Sequence, residues 1–380
     1  MKLPIYLDYN ATTPVDPAIA EVIHPYLHDL FGNASSAHAY GFQAKNAVDY
    51  ARSEVAALLG CAADEVIFTA SGSEGNNLAV KGVAFAHAER GRHLITTQVE
   101  HPAVLNTCRY LETRHGFAVT YLPVDGDGLV NPTDVARAVR PDTTLISVMT
   151  ANNETGTVQP IREISAVARE RGILFHTDAA QAVGKIPLQV DDLGVDLLTV
   201  VGHKMYAPKG VGALFVRRGV KLDSLIHGAS HEVGRRAGTE NVPYVVGLGK
   251  ACAIARMNLP EESRRLQSLR DRLHEALLAG VPGLRLNGHA SFRLPNTLNV
   301  SFPGTAGYDM LARAREVAAS TGSACHSGRP EVSPVLAAMG VPPEWALGAV
   351  RLSVGRWTTG EEVDLAARML VDAFASREDS

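Results

Sequence analysis

Cysteine is scarce in this 380-residue chain: Cys61, Cys108, Cys252 and Cys325 lie far apart, and none belongs to a CxxC pair. That spacing argues against a disulfide framework or a zinc site and fits a reducing, cytoplasmic setting. No apolar run approaches the ~18 residues expected of a bilayer-crossing helix. The opening stretch is interrupted by Asp8 and Asn10, so no secretory leader is expected there. Charge of one sign is not concentrated either. The 36 basic and 40 acidic residues are interspersed and leave a net charge of -4, which is not a nucleic-acid footprint. Repeats, low-complexity tracts, long Gly/Ser linkers and the GxxxxGK[ST] phosphate loop are all missing.

What is present reads as an ordinary globular chain, long enough for one large and one smaller domain. Segments 66–70, 93–97, 118–122, 144–149, 173–177 and 197–201 are short, β-branched and apolar, as buried strands are. Between them, 73–90, 101–115, 132–139 and 160–171 carry apolar residues at helical spacing, and 43–59 does so upstream, with Gly60 placed as a C-cap. Strand and helix in alternation imply an α/β fold, with a mostly parallel central sheet covered by helices on both faces. After about residue 258 the pattern changes. A charged surface helix over 261–278, strands over 296–302 and 350–354 and a closing helix over 361–373 suggest a smaller α+β domain. The expected division is 16–258 for the large domain, and 1–15 plus 259–380 for the small one.

Candidate chemistry gathers at strand exits. Lys204, in Val201-Gly202-His203-Lys204, directly follows a strand, where open α/β sheets keep their ligands. Desolvation and nearby cations would lower its pKa and make it a nucleophile toward carbonyls. A lysine taken alone is more often a surface loop residue. Asp178 stands at the exit of the preceding strand, correctly typed to hold the proton on a pyridine nitrogen, with Gln181 in reach of a ring hydroxyl; a helix N-cap is the plainer reading. Ser71-Gly72-Ser73 ends a strand and starts a helix, which suits phosphate but also describes a simple turn. His101 opens a helix and could stack on a ring and move protons near neutral pH, or be structural. Cys325 sits among small, turn-forming residues, expected as a mobile exposed loop, with His326 and Arg329 to favour its thiolate. The other three cysteines read as packing residues. Arg351 lies within an apolar strand, fit either for a substrate carboxylate or for a structural salt bridge.

Together these segments resemble the cysteine desulfurases, class V aminotransferase-like enzymes of the fold type I pyridoxal-phosphate group. The likeness runs from Tyr6-Leu7-Asp8-Tyr9-Asn10-Ala11-Thr12-Thr13-Pro14 to Arg351-Leu352-Ser353-Val354-Gly355-Arg356, through Gly32-Asn33-Ala34-Ser35-Ser36, Glu100-His101, Asn152-Asn153-Glu154-Thr155-Gly156, Gly238-Thr239 and Ser323-Ala324-Cys325. The resemblance implies conversion of L-cysteine to L-alanine, with sulfur held on Cys325 as a persulfide for an acceptor such as an iron–sulfur scaffold or a thiolation protein. It implies that Lys204 bonds pyridoxal 5'-phosphate, Asp178 takes the ring nitrogen, Gln181 the ring hydroxyl, and His101 stacks and shuttles protons. Gly72, Ser73 and His203 match phosphate ligands, as does Thr239, donated from the second subunit of a homodimer. Asn153 and Arg351 match the substrate-carboxylate site. No metal is implied.

Two departures stand out. Val201 replaces a serine that many desulfurases use as a phosphate ligand. Cys325-His326-Ser327 and Ser333-Pro334-Val335-Leu336 resemble selenocysteine lyases, so selenocysteine is an alternative substrate, and other class V enzymes share the fold.

Overall fold

The strands divide their side chains between two apolar layers by strict alternation. Leu94, Leu145 and Leu197 enter one buried cluster, while Ile95, Ile146 and Leu198 enter another on the opposite face. Side chains two residues apart share a face, so a strand apolar throughout must be covered twice. The computed structural model describes residues 3–321 and 332–376 and shows this cover, with Gly72–Ala86 and Pro102–His115 on one face and Ala39–Leu59 and the first half of Val242–Gly280 on the other.

Seven strands form the central sheet, in the order Val66–Thr69, Gly212–Val216, Leu197–Val201, Leu174–Asp178, Thr143–Ser147, His93–Thr97 and Ala118–Leu122. All run parallel except Gly212–Val216, which is antiparallel to both neighbours. The ten residues 202–211 return the chain at the same edge without the helical crossover over the sheet face that a parallel return needs. The parallel strands therefore end on one edge, and that edge receives Ser71, His101, Asp178 and Lys204.

The 261–278 segment differs from expectation. It is not a separate surface helix but the second half of the 39-residue helix Val242–Gly280, which runs through Pro260. Its Leu266, Leu269, Leu273 and Leu277 are buried in a second core with Phe302, Leu352, Leu370 and Phe374. Charged residues fill the other positions of the turn, and they hid this apolar stripe. Pro260 removes the N–H that would bond the Arg256 carbonyl, and it falls between Ala255 in the first core and Leu266 in the second.

This second core packs helix Gly360–Ala375 on the antiparallel strands Ala349–Ser353, Thr297–Ser301 and Arg285–Leu286. The N-terminal Ile5–Tyr6 pairs in parallel with Val317–Ala318, and Leu7 enters the same core.

Helices Ala39–Leu59 and Val242–Gly280 touch backbone to backbone at Gly249, where an added Cβ would lie 2.5 Å from Ala51 Cα. Neither backbone can rotate away. Gly249→Val is expected to cost about 2–3 kcal/mol through overpacking, measured by urea unfolding.

Candidate active site

A cavity of about 350 Å³ opens at the carboxyl edge of the sheet. Its walls include Gly72, Ser73, His101 and Asn153, and across from them Asp178, Gln181, His203, Lys204 and Arg351. Thr239 is not among the cavity's lining residues within one chain. Cys325 lies outside the described residues.

Lys204 sits in the short 3-10 turn Gly202–Lys204 that follows strand Leu197–Val201. Its Nζ donates to the carbonyls of Asn10 at 2.5 Å and Ala11 at 2.7 Å. Burial, aided by the Arg351 charge, lowers the amine to about 8, against the opposing pull of Asp8 and Asp178. An amine so tuned is partly unprotonated near neutral pH and can attack an aldehyde.

Asp178 is buried at the strand end, and its two oxygens accept from Asn76 Nδ2 at 2.7 Å and Ala180 N at 2.9 Å. It is therefore both a turn cap and a carboxylate aimed at the cavity. His176 on the same strand is not part of the cavity wall. Burial pushes it down to about 3, and its ring nitrogens face Ser147 Oγ and Thr199 Oγ1.

Helix Gly72–Ala86 begins at the cavity. Ser71 Oγ accepts from Glu74 N, which leaves the N–H groups of Gly72 and Ser73 with no acceptor inside the helix. An added Cβ at Gly72 would meet Val201 Cγ2 at 2.3 Å. The valine methyl thus packs on bare backbone, and glycine is needed beside it. His203 is pushed down to about 4 by burial and then by Lys204, so it faces the cavity as a neutral ring with Nδ1 against Thr12 Oγ1.

His101 caps helix Pro102–His115, its Nδ1 accepting from Ala103 N at 3.1 Å. The neutral ring therefore carries its proton on Nε2. Burial lowers its pKa. Arg351 likewise satisfies both readings of the sequence: it lines the cavity, pairs with Asp8 at 2.8 Å and donates to the Asn153 carbonyl at 3.0 Å.

Sequence reasoning passed over Asn10, Asn76 and Lys185. Asn10 belongs to the quoted N-terminal motif, but nothing local shows that its carbonyl meets Lys204. Asn76 lies one helical turn after Gly72, a spacing that could have placed it on the same face. Lys185 has no local signal beyond its distance of four residues from Gln181.

Two buried atoms of the cavity wall, Asn76 Oδ1 and Arg351 Nε, have no hydrogen-bond partner among the described residues, so a polar occupant would complete the wall. Amine, carboxylate and helix start together fit pyridoxal phosphate. The packing cysteines do not compete as nucleophiles. Burial raises the Cys61 and Cys108 thiols to about 12 and raises Cys252 as well.

Glu100, next to His101, is buried, and its Oε1 accepts from Thr97 Oγ1 at 2.9 Å and Met149 N at 2.8 Å. Desolvation pushes it up to about 8, so the folded chain holds a proton that an unfolded glutamate has already lost. Its contribution to stability is full below the unfolded carboxyl range and disappears as pH rises through about 8. Glu100→Gln keeps the acceptor and removes the titration. Melting curves at pH 6 and pH 9 should differ by several degrees less in the variant than in the parent.

Residues 5–365 match the Aminotransferase class-V family. Cysteine desulfurase IscS of Dictyoglomus turgidum is 49% identical over 366 residues, covering 96% of this chain and 93% of its own. A solved NifS-like protein superposes with a TM-score of 0.92 at 37% identity, covering 98% of this chain and 100% of that one. Another, SspA in complex with cysteine, does so with a TM-score of 0.83 at 40% identity, covering 93% and 99%. Matches of this extent, over a cavity built for pyridoxal phosphate, make the protein a member of the class V aminotransferase family, in its pyridoxal-phosphate-dependent cysteine desulfurase branch.

Proposed function

We propose that this chain is a cysteine desulfurase that takes sulfur from L-cysteine, releases L-alanine and holds the sulfur on Cys325. One observation carries the reading: a lysine amine lowered to about 8 shares a cavity with a donor-held carboxylate and a helix start whose first two N–H groups have no acceptor within the helix. The bound cofactor supplies an electron sink for the substrate Cα. Lys204 would hold the cofactor through its amine and could carry the substrate's Cα proton at Nζ. Asp178 keeps the proton on the ring nitrogen, oriented by Asn76. The N–H groups of Gly72 and Ser73, with His203, hold the phosphate. His101, with its proton on Nε2, would lie beside the ring and could donate that proton.

Arg351 and Asn153 receive the substrate carboxylate, with Asp8 steadying the guanidinium. The Cys325 thiolate attacks the substrate sulfur. An S–S bond forms as the Cβ–S bond breaks, and the electron pair left on Cβ takes up a proton on the way to alanine. Support for sulfur over selenium comes from the relatives, which bear the desulfurase name at about half identity.

Finer features belong to the same proposal. The protein works as a homodimer in which Thr239 of one subunit completes the phosphate site of the other, and it delivers sulfur in the cytoplasm to an acceptor such as an iron–sulfur scaffold or thiolation protein. Residues 16–258 form the cofactor domain, and 1–15 with 259–380 the domain bearing Cys325. Among the described residues no helix is long and apolar enough to cross a membrane.

Incubation with L-cysteine should add one sulfur to the peptide containing Cys325, detected by mass spectrometry; an unmodified peptide during active turnover would reject the persulfide. Lys204→Ala should abolish the visible absorbance of bound cofactor, while Cys325→Ser should keep the colour and lose sulfur transfer. Arg351→Ala should raise KM for cysteine by roughly ten- to a hundredfold, the loss expected for a two-pronged charged contact.

A further inference from the structure

Among the described residues, Lys185 is the one buried lysine that the proposed reaction does not use. It is 7% exposed and lies beneath the cavity rather than in its wall. Its Nζ donates to Gln181 Oε1 at 2.8 Å and to Asn10 Oδ1 at 3.3 Å, and none of the ion pairs among the described residues includes it. Burial and the neighbouring Lys204 and Arg351 charges lower its pKa well below the usual range. An amine surrounded by neutral acceptors serves here as a hydrogen-bond donor and not as half of a salt bridge.

The amide it touches is the one that faces the cavity. Gln181 Nε2 donates one hydrogen to the Asn10 carbonyl at 3.0 Å, and its Oε1 is taken by Lys185. The second Nε2 hydrogen is left for the cavity that Gln181 lines. Without Lys185, Oε1 would be a buried acceptor with no donor. Only the bond to the Asn10 carbonyl would then oppose a turn of the amide that replaces a donor by an acceptor at the ring oxygen.

We infer that Lys185 is a positioning residue that holds the Gln181 amide with its N–H toward the cofactor's ring oxygen. The inference rests on the pyridoxal-phosphate reading above. A hydrogen bond donated to an anionic oxygen lowers that oxygen's basicity. Losing it strengthens the oxygen's hold on the proton of the adjacent Schiff-base nitrogen, and the pH midpoint of the visible absorbance moves up. Among the described residues, the charged and titratable groups that act on the Lys204 amine include Asp8, His101, Asp178, His203 and Arg351, and none of them is altered by the test.

The test is a pH titration of the visible band in the purified holoenzyme. Lys185→Met should raise the midpoint by about half to one pH unit, the differential effect of one hydrogen bond. Gln181→Leu should raise it at least as much. In the double variant the shift should equal that of Gln181→Leu alone, because the lysine then has no amide to orient. An unchanged midpoint in Lys185→Met overturns the inference. So do additive shifts, which would mark the lysine as a bare charge. Lys185→Leu, apolar and also without a donor, serves if the methionine variant does not fold, with the same sign expected and the same cycle applied. A parent protein with no visible band would instead reject the cofactor reading itself.

Discussion

An amine withdrawn from water beside a guanidinium is costly, and Lys204 meets that cost with the carbonyls of Asn10 and Ala11. Those carbonyls belong to a segment that begins in the second core, at Leu7, and crosses to the first. Position of the amine, its lowered pKa and the joining of the two cores are therefore one constraint. The amine of Lys204 keeps this position only while the N-terminal segment is in place.

Asn10 concentrates this coupling. Its carbonyl accepts from Lys204 and Gln181, its Oδ1 from Lys185 and Asn296, and its Nδ2 donates to Thr297 and Asn153. A single residue thus connects the carboxyl edge of the large sheet to the small antiparallel sheet. Buried polar networks of this kind specify one arrangement only when every member is satisfied. Arg351 extends the network by joining Asp8 and Asn153 across the same boundary. Arg351 and Asn153 are thereby held by the same contacts that hold the two cores together.

Several residues serve structure and site together. His101 caps its helix and lines the cavity, Asp178 caps a turn and aims a carboxylate, and Arg351 pairs with an acid at the cavity wall. The bland and the sharp readings of such residues are compatible because strand exits and helix starts are where both turns and ligands collect unpaired backbone groups. The long helix Val242–Gly280 gives a related lesson. Its charged residues suggested exposure after position 258, yet the leucines at 266, 269, 273 and 277 build a core.

Local pattern determined a good deal by itself. Strand and helix alternation, the Gly60 cap, and the placing of Ser73, His101, Asp178 and Lys204 at strand exits all follow from signals a few residues long. The family likeness added roles to those positions. Only the tertiary structure decided that Asn10 lies under Lys204, that Asn76 holds Asp178, that Lys185 bonds Gln181 and that one helix serves two cores. Most of these pairings join residues more than a hundred positions apart. Such contacts depend on how sheet and helices pack, which no short window of sequence records; even Lys185 and Gln181, four residues apart, meet in a turn whose shape the packing around it sets.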